Sequence, residues 1–184
     1  MGVRHPHKPS EYPSFILYLL DKTHLTVTAA TTIYVLYQRR AHPLYFGIGA
    51  ILSSISAKLV KHFIRDPRPP PASSISSPVR PKRTYGMPST HSTVLTFFLA
   101  YLLPQSPTFT HPYIYGTSIA AYWAAGVWSR TKLGYHTWPQ CLGGIFFGAA
   151  LAWGWNSLWI GQPSLEGNIQ TLIDLMLSPL GLSN

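Results

Sequence analysis

Charged residues are scarce in this chain and are kept apart from long apolar stretches. Lys and Arg number 14 and Asp and Glu number 5 among 184 residues, and none falls within residues 41–57, 84–129 or 133–165. A helix of roughly 20 apolar residues crosses the hydrocarbon core of a bilayer. The pattern therefore predicts an all-α fold, a polytopic membrane helical bundle of about five to six helices in one domain.

Five segments are predicted to span the membrane. They are Leu25–Tyr37, Leu44–Phe63, Thr90–Leu103, Tyr113–Ser129 and Thr137–Ile160. Residues 15–20 either extend the first span or lie in the interface. Within the C-terminal tail, residues 161–184, apolar side chains recur at helical spacing from Asn168 to Leu177, which predicts a short interfacial helix.

The connection at residues 69–84 differs in composition from its surroundings. It is rich in Pro and Ser and carries Arg80, Lys82 and Arg83, so we expect an exposed basic loop. The net charge of +9 does not indicate a nucleic-acid partner, because the basic residues lie between apolar segments and form no aromatic-interleaved surface. Membrane lipids or a phosphorylated substrate account for the same charge. Cys141 is alone, so no intrachain disulfide can form, and we expect a small packed residue.

Three short motifs lie at the ends of predicted spans. They are Lys61-x6-Arg68-Pro69, Pro88-Ser89-Thr90-His91 and Ser129-Arg130-x5-His136. Two histidines among three cations suit phosphoryl transfer through a phosphohistidine, because one imidazole attacks phosphorus while the other protonates the leaving oxygen. The acidic residues are too scattered to build a two-metal site, so neither metal nor cofactor is expected: Glu11, Asp21, Asp66, Glu166 and Asp174.

Topology supports a common site for these motifs. Lys61 ends the second span, His91 starts the third, Arg130 ends the fourth and His136 starts the fifth. In an up-and-down bundle, these four ends lie on one face of the membrane. Backbone N–H groups at the start of the third helix, near Thr90, would also point at a bound phosphate.

The three motifs resemble the tripartite signature of the type 2 phosphatidic acid phosphatase (PAP2) superfamily. Within it, Tyr85-Gly86-Met87-Pro88-Ser89-Thr90-His91-Ser92 and Tyr135-His136-Thr137-Trp138-Pro139-Gln140 resemble the dolichyl diphosphate phosphatase branch. The resemblance implies a PAP2/haloperoxidase-like helical core in the endoplasmic reticulum membrane. It also implies hydrolysis of a polyprenyl (dolichyl) diphosphate to the monophosphate, which recycles the lipid carrier for protein glycosylation.

Residue roles follow from the same resemblance. It implies that His136 is the nucleophile and that His91 is the proton donor to the leaving group and later the base for water. Phosphate-binding roles fall to five residues: Lys61, Arg68, Ser89, Thr90 and Arg130. Such a division is physically reasonable, since phosphoryl transfer depends on positioning and charge neutralisation. Arg80, Lys82 and Arg83 either belong to a solvated loop or contact the second phosphate.

One position departs from the superfamily pattern. Gln140 stands where the superfamily usually has Asp, four residues after the nucleophile. A Gln oxygen can accept the ring N–H of His136 but carries no compensating charge. Gln fits the dolichyl diphosphatase branch, yet two other hypotheses stay open: a broader lipid phosphate phosphatase acting on monophosphates, and a catalytically silent membrane protein that binds anionic lipids.

Membrane orientation is predicted differently by two arguments. All Lys and Arg residues except Arg39 and Arg40 fall on the face that carries the motifs, which by the positive-inside tendency places the site in the cytosol. The resemblance implies a lumenal site. Because several of these cations are needed for phosphate, their count is biased, and the lumenal orientation is favoured. The oligomeric state is not indicated.

Overall fold

Seven α-helices make up most of the described chain. The structure, a computed structural model, describes Pro9, residues 12–70 and residues 84–180, and within these ranges no strand occurs. The helices are α1 (Phe15–Asp21), α2 (Thr23–Gln38), α3 (Ala41–Ile64), α4 (Thr90–Leu102), α5 (Pro112–Lys132), α6 (Trp138–Gly161) and α7 (Ser164–Leu177). The all-α prediction is confirmed. Arg80, Lys82, Arg83, Glu11 and most of the predicted basic loop lie outside the described residues.

The segment at residues 15–20 is a separate helix and does not continue into α2. Ser14 caps α1 by accepting a hydrogen bond from the amide of Leu17, and α1 ends at Asp21. The hydroxyl of Thr23, the first residue of α2, donates to the carbonyl of Leu20 at 2.6 Å. This bond gives a partner to a carbonyl group in the last turn of α1. Leu17 then packs, with Tyr12, against Leu133 and Tyr135 beyond the end of α5.

Small residues bring α4 and α6 into close contact. Gly144 and Gly148 lie one turn apart on α6. A Cβ on Gly144 would meet the carbonyl of Ser89, the N-cap of α4, and a Cβ on Gly148 would meet the main chain of Thr93 in α4. Glycines spaced in this way allow two helix backbones to approach closely. Cys141, one turn before Gly144, is fully buried in the same stripe, as the sequence predicts.

Aromatic residues fasten the opposite end of the bundle. Tyr45 and Trp155 stack with ring centroids 4.5 Å apart, and each donates a hydrogen bond to the other's backbone carbonyl. Helix α7 joins this end through Gln170, whose side chain accepts from the amide of Ala41 and donates to the carbonyl of Arg39. The helix predicted at Asn168–Leu177 therefore exists, and it begins four residues earlier.

Two of the described helices, α3 and α6, are long and apolar enough to cross a membrane. Each has 24 residues, with mean hydropathies of 1.4 and 1.2 over their most apolar windows. Large apolar side chains face outwards on both, as lipid-facing surfaces require. Helices α2 and α4 have only 16 and 13 residues. Spanning by α2, α4 and α5 remains a prediction.

Candidate active site

The three sequence motifs meet at one end of the helical bundle. The amide of Gly86 donates to the carbonyl of Asp66 at 2.7 Å, which joins the chain after α3 to the chain before α4. The amide of Ser89 donates to the carbonyl of Gln140 at 3.0 Å, which joins the starts of α4 and α6. These main-chain hydrogen bonds bring the motif segments together independently of their side chains.

A tight turn explains the spacing between Arg130 and His136. Gly134 adopts a left-handed conformation with φ of 68°, which glycine tolerates best. The chain reverses there, and the amides of Tyr135 and His136 both donate to the carbonyl of Arg130, at 3.0 and 3.3 Å. The five residues between Arg130 and His136 therefore form a turn that places His136 next to the last turn of α5.

His136 has a defined tautomer. Its Nε2 lies 3.1 Å from Nη1 of Arg68, and its Nδ1 lies 3.2 Å from Oε1 of Gln140. A guanidinium can only donate, so Nε2 accepts and holds the lone pair. The proton then resides on Nδ1 and is donated to Gln140. The imidazole is neutral, and its nucleophilic nitrogen faces the cations.

Burial and nearby cations keep His136 unprotonated. Its side chain is only 7% exposed. Desolvation first, and then the charges of Arg68, Lys61 and Arg130, lower its pKa from the ordinary 6.5 to about 3, against a smaller opposing effect of the Gln140 hydrogen bond. Strongly shifted pKa values cluster at functional sites, which makes His136 a candidate functional group.

Arg68 links the segments that surround His136. Its Nη1 also donates to the carbonyl of Tyr135 at 2.7 Å, while Nε and Nη2 donate to the carbonyl and hydroxyl of Thr84. Burial lowers its pKa, although an arginine keeps its charge. Arg68 and Thr84 flank residues 71–83, so the two described ends of that connection are fastened together.

Gln140 uses all four of its side-chain hydrogen-bonding positions. Oε1 accepts from Nδ1 of His136 and from the amide of Thr137, both at 3.2 Å. Nε2 donates to Oδ2 of Asp66 at 2.6 Å and to the carbonyl of Pro67 at 2.7 Å. The Thr137 contact belongs to a capping box that starts α6, with Pro139 in the first turn as the sequence predicts. Gln140 therefore both caps the helix and orients His136.

Arg130 is buried and held by an acidic residue of α1. Its Nη1 donates to Oδ1 of Asp21 at 2.9 Å, and its Nη2 donates to the carbonyl of Leu20 and to Oγ of Ser129. Asp21 also accepts from the hydroxyl of Tyr135. Burial, and next the charge of Asp21, raise the pKa of Tyr135 to about 12, so this phenol stays a donor.

The remaining predicted site residues lie at the same end. Lys61, 5% exposed, donates from Nζ to the carbonyl of Tyr85 at 3.3 Å. The fully buried Ser89 caps α4, accepting from the amide of Ser92 at 3.4 Å. Thr90 and His91 are the first two residues of α4 and are partly buried. Phosphate contacts by these residues remain a prediction.

Two acidic residues of this site were not selected from the sequence. Asp21 contacts Arg130, and Asp66 contacts Gln140. Asp66 lies inside the first motif, two residues before Arg68, and that position was the available signal. Nothing in the sequence pairs Asp21 with a residue 109 positions away. In the described part of the chain, no three His, Cys, Asp or Glu side chains are grouped so as to hold a metal ion.

Comparison with known proteins identifies the family. The PAP2 superfamily matches residues 42–161, a range that contains every predicted catalytic and phosphate-binding residue. The chain belongs to the PAP2 superfamily. No solved structure shows significant similarity to this PAP2 chain.

Curated relatives of this PAP2 chain share one description. The chain is 28% identical over 166 residues to Dolichyldiphosphatase 1 of Mus musculus and to that of Homo sapiens. Each match covers 79% of this chain and 66% of the relative. Dolichyldiphosphatase 1 of Dictyostelium discoideum is 29% identical over 140 residues, covering 71% of this chain and 59% of the relative. The chain thus spans less than two thirds of the length of these relatives.

Proposed function

We propose that this PAP2 chain hydrolyses the terminal phosphate of a long polyprenyl diphosphate, without a metal ion, through a phosphohistidine at His136. The observation that carries the proposal is the neutral imidazole of His136, with the lone pair of Nε2 directed at Arg68. A nucleophile already deprotonated and surrounded by cations suits an anionic phosphorus centre. The relatives described as dolichyldiphosphatases supply the substrate class.

In the first step, Nε2 of His136 attacks the terminal phosphorus in line. The bond from phosphorus to the bridging oxygen breaks, and the lipid monophosphate leaves with its electron pair. Imidazolium His91 donates a proton to that oxygen. Arg68, which contacts Nε2 here, transfers its hydrogen bond to a phosphoryl oxygen as the substrate enters. Arg68 and Lys61 then offset the charge that gathers on the transferring group.

In the second step, water hydrolyses the phosphohistidine. His91, now neutral, removes a proton from the water while the water oxygen bonds to phosphorus. The N–P bond breaks, inorganic phosphate leaves, and the lone pair returns to Nε2. Throughout both steps, Nδ1–H of His136 stays on Oε1 of Gln140, which keeps the ring in one orientation.

An apolar groove supports a lipid substrate. A cavity of about 230 Å³ between α2, α4 and α5 is lined by Val27, Leu95, Phe98, Leu102, Ser118, Ile119, Tyr122 and Trp123. On α4, the lining residues continue the helical face of His91. On α5, Ile119 and Trp123 share the face of Arg130. The groove therefore lies along two helix faces that each carry a predicted site residue at the motif end of the bundle, a suitable place for the first isoprene units.

We place the protein in the endoplasmic reticulum membrane with the site in the lumen, on the strength of the family branch. Single cysteines at Lys132, the last residue of α5, and at Arg40, just before α3, would lie on opposite faces. In sealed microsomes, an impermeant maleimide should label Arg40→Cys, at the cytosolic end, while Lys132→Cys reacts only after permeabilisation. The buried Cys141 provides little background. The reverse pattern would place the site in the cytosol.

Purified protein offered dolichyl diphosphate, a shorter prenyl diphosphate and phosphatidic acid side by side tests the function. Dolichyl diphosphate should be turned over fastest, and brief exposure to ³²P-labelled substrate should leave acid-labile phosphate on the protein. His136→Asn should abolish turnover and labelling while preserving the melting temperature. His111→Asn, an exposed histidine outside the motifs, is the matched control. Preference for phosphatidic acid would favour a broad lipid phosphatase, and no turnover would favour a silent lipid-binding protein.

A further inference from the structure

The amide group of Gln140 is held in one orientation by groups that can only accept hydrogen bonds. Nε2 donates to Oδ2 of Asp66 at 2.6 Å and to the carbonyl of Pro67 at 2.7 Å. If the amide flipped, its oxygen would face both acceptors and its NH2 group would face Nδ1 of His136. Ionised carboxylate oxygens accept only, and their hydrogen bonds are shorter and stronger than neutral ones, as this 2.6 Å distance illustrates.

We propose that Asp66 is a positioning residue for the nucleophile: acting through Gln140, it fixes the tautomer of His136 that leaves Nε2 available for attack. The inference rests on the proposed function for its catalytic meaning, but the hydrogen-bond chain from Asp66 to Gln140 to His136 is a property of the site itself. In the superfamily pattern, an Asp at position 140 would place a carboxylate directly on the histidine. Here the carboxylate of Asp66 acts indirectly, through Gln140.

The orientation matters because the two ends of a Gln amide have opposite hydrogen-bonding character. With the oxygen towards the ring, Nδ1 carries the proton and Nε2 holds the lone pair. With the NH2 group towards the ring, Nδ1 must accept, so the proton moves to Nε2 and blocks attack on phosphorus. An Asp at position 140 could not make this error, since both its oxygens accept. A Gln needs a partner such as Asp66.

Main-chain geometry places Asp66 for this purpose. Arg65, in a left-handed conformation with φ of 54°, caps the C-terminal end of α3, and the carbonyl of Asp66 accepts a hydrogen bond from the amide of Gly86. Gly86 itself lies against the amide of Gln140, where any Cβ would overlap the Gln side chain. Asp66 is thus held by backbone on one side, and the Gln140 amide is confined by Gly86.

A charge swap tests the proposal. Gln140→Glu keeps the side-chain length, and its oxygens could accept from Nδ1, but Asp66 repels the new carboxylate and displaces it from the ring. We therefore expect kcat to fall roughly 10- to 100-fold with little change in KM. Asp66→Asn in the same protein restores a donor–acceptor pair, with the carboxylate now directly on His136. The double variant should regain about tenfold over Gln140→Glu, a coupling that independent sites do not show. The recovery of kcat should be incomplete, because the carbonyl of Pro67 loses the hydrogen bond that Nε2 of Gln140 donates to it in the wild type.

The chain contains a matched control for this swap. On α7, Nε2 of Gln170 donates to Oδ1 of Asp174 at 3.0 Å, the same pair of side chains far from the site. Gln170→Glu and its combination with Asp174→Asn should leave kcat unchanged. A double variant at positions 66 and 140 no better than Gln140→Glu would overturn the proposal, as would equal effects at the α7 pair.

Nuclear magnetic resonance gives a readout that does not need activity. In protein with ¹⁵N-labelled histidine, the His136 signals, assigned with His136→Asn, should show a proton on Nδ1 in the wild type and a mixture of tautomers in Asp66→Leu. An unchanged Nδ1–H tautomer in a folded Asp66→Leu variant would refute the role of Asp66. If the wild type hydrolyses no lipid phosphate while the tautomer still depends on Asp66, the positioning stands and the proposed function fails.

Discussion

Arg130 on α5 donates to the carboxylate of Asp21 at the end of α1 over 2.9 Å, and these side chains are only 3% and 11% exposed. Four of the five N–H donors of the guanidinium are used by Asp21, Leu20 and Ser129, which leaves one on Nη1. The first helix therefore determines which edge of Arg130 can meet a phosphate. Residues outside the three motifs contribute to their geometry.

Replacing Asp21 should destabilise the protein and slow the reaction. Asp21→Asn leaves a buried guanidinium without its counter-charge, which costs about 3 kcal/mol or somewhat more when a buried pair is broken. We expect a lower apparent melting temperature and a lower kcat/KM for a polyprenyl diphosphate. Asp174→Asn on α7 serves as the control and should change neither value. Wild-type stability in Asp21→Asn would show that the ion pair contributes little.

Acidification should affect the fold before it protonates His136 in the native state. With a native pKa of about 3, the folded ring stays neutral at pH 5, whereas the unfolded chain takes up a proton near 6.5. Unfolded molecules then bind more protons, so this group lowers stability as pH falls from about 6.5 towards 3. Between pH 7 and pH 5, the melting temperature of His136→Gln should fall less steeply than that of the wild type. Removing a cation by Arg68→Gln should raise the pKa of His136, measured by NMR titration.

Chelation should leave activity unchanged. The proposed chemistry assigns charge neutralisation to Lys61 and Arg68 and proton transfer to His91, so no step depends on a divalent ion. Turnover in EDTA should match that in its absence, and vanadate, which resembles five-coordinate phosphorus, should inhibit competitively. Activity that is lost in EDTA and restored by magnesium would contradict the assignment.

Filling the groove should weaken the binding of long-chain lipid substrates and leave short substrates unaffected. Ser118→Trp adds a large side chain to the wall formed by α5, and we expect KM for a polyprenyl diphosphate to rise about tenfold or more, which is about 1.4 kcal/mol. A short, water-soluble prenyl diphosphate should be hydrolysed at the wild-type rate. Thr117→Trp, on the neighbouring exposed position, is the control. Equal effects on both substrates would remove the groove from lipid binding.

Adding one methyl group between α4 and α6 should be costly. Gly148→Ala places a Cβ against the backbone of Thr93, and overpacking of this kind costs roughly 1–3 kcal/mol. Gly154→Ala on the same helix meets open space and should be neutral or slightly stabilising. Melting temperature and kcat should both fall only in Gly148→Ala. Equal melting temperatures would mean that the helices can separate without loss.

The sequence predicted the helices and the motif residues because their signals are local. Charge-free runs, capping residues such as Thr137 and the motif spacings all depend on neighbouring positions, and each predicted span corresponds to a helix of the structure. Gln140 was correctly placed beside His136 by a spacing of four residues. The family is also shown by the match over residues 42–161.

What the sequence did not predict depends on contacts between distant segments. The partners of Arg130 and Gln140, Asp21 and Asp66, are fixed by the packing of α1 against α5 and by the bond from Gly86 to Asp66. At the junction of α1 and α2, Asp21 contacts Arg130 and Thr23 donates to the carbonyl of Leu20. No periodicity encodes such pairings.

The glycines at positions 144 and 148 affect how well this protein tolerates substitutions elsewhere. Because α4 rests on α6 through main-chain atoms, neither helix can rotate or slide without moving the other's backbone. His91 and His136 stand within two residues of the first turns of these helices. Substitutions of side chains on the outer surface should therefore leave the relative placement of the two histidines unchanged.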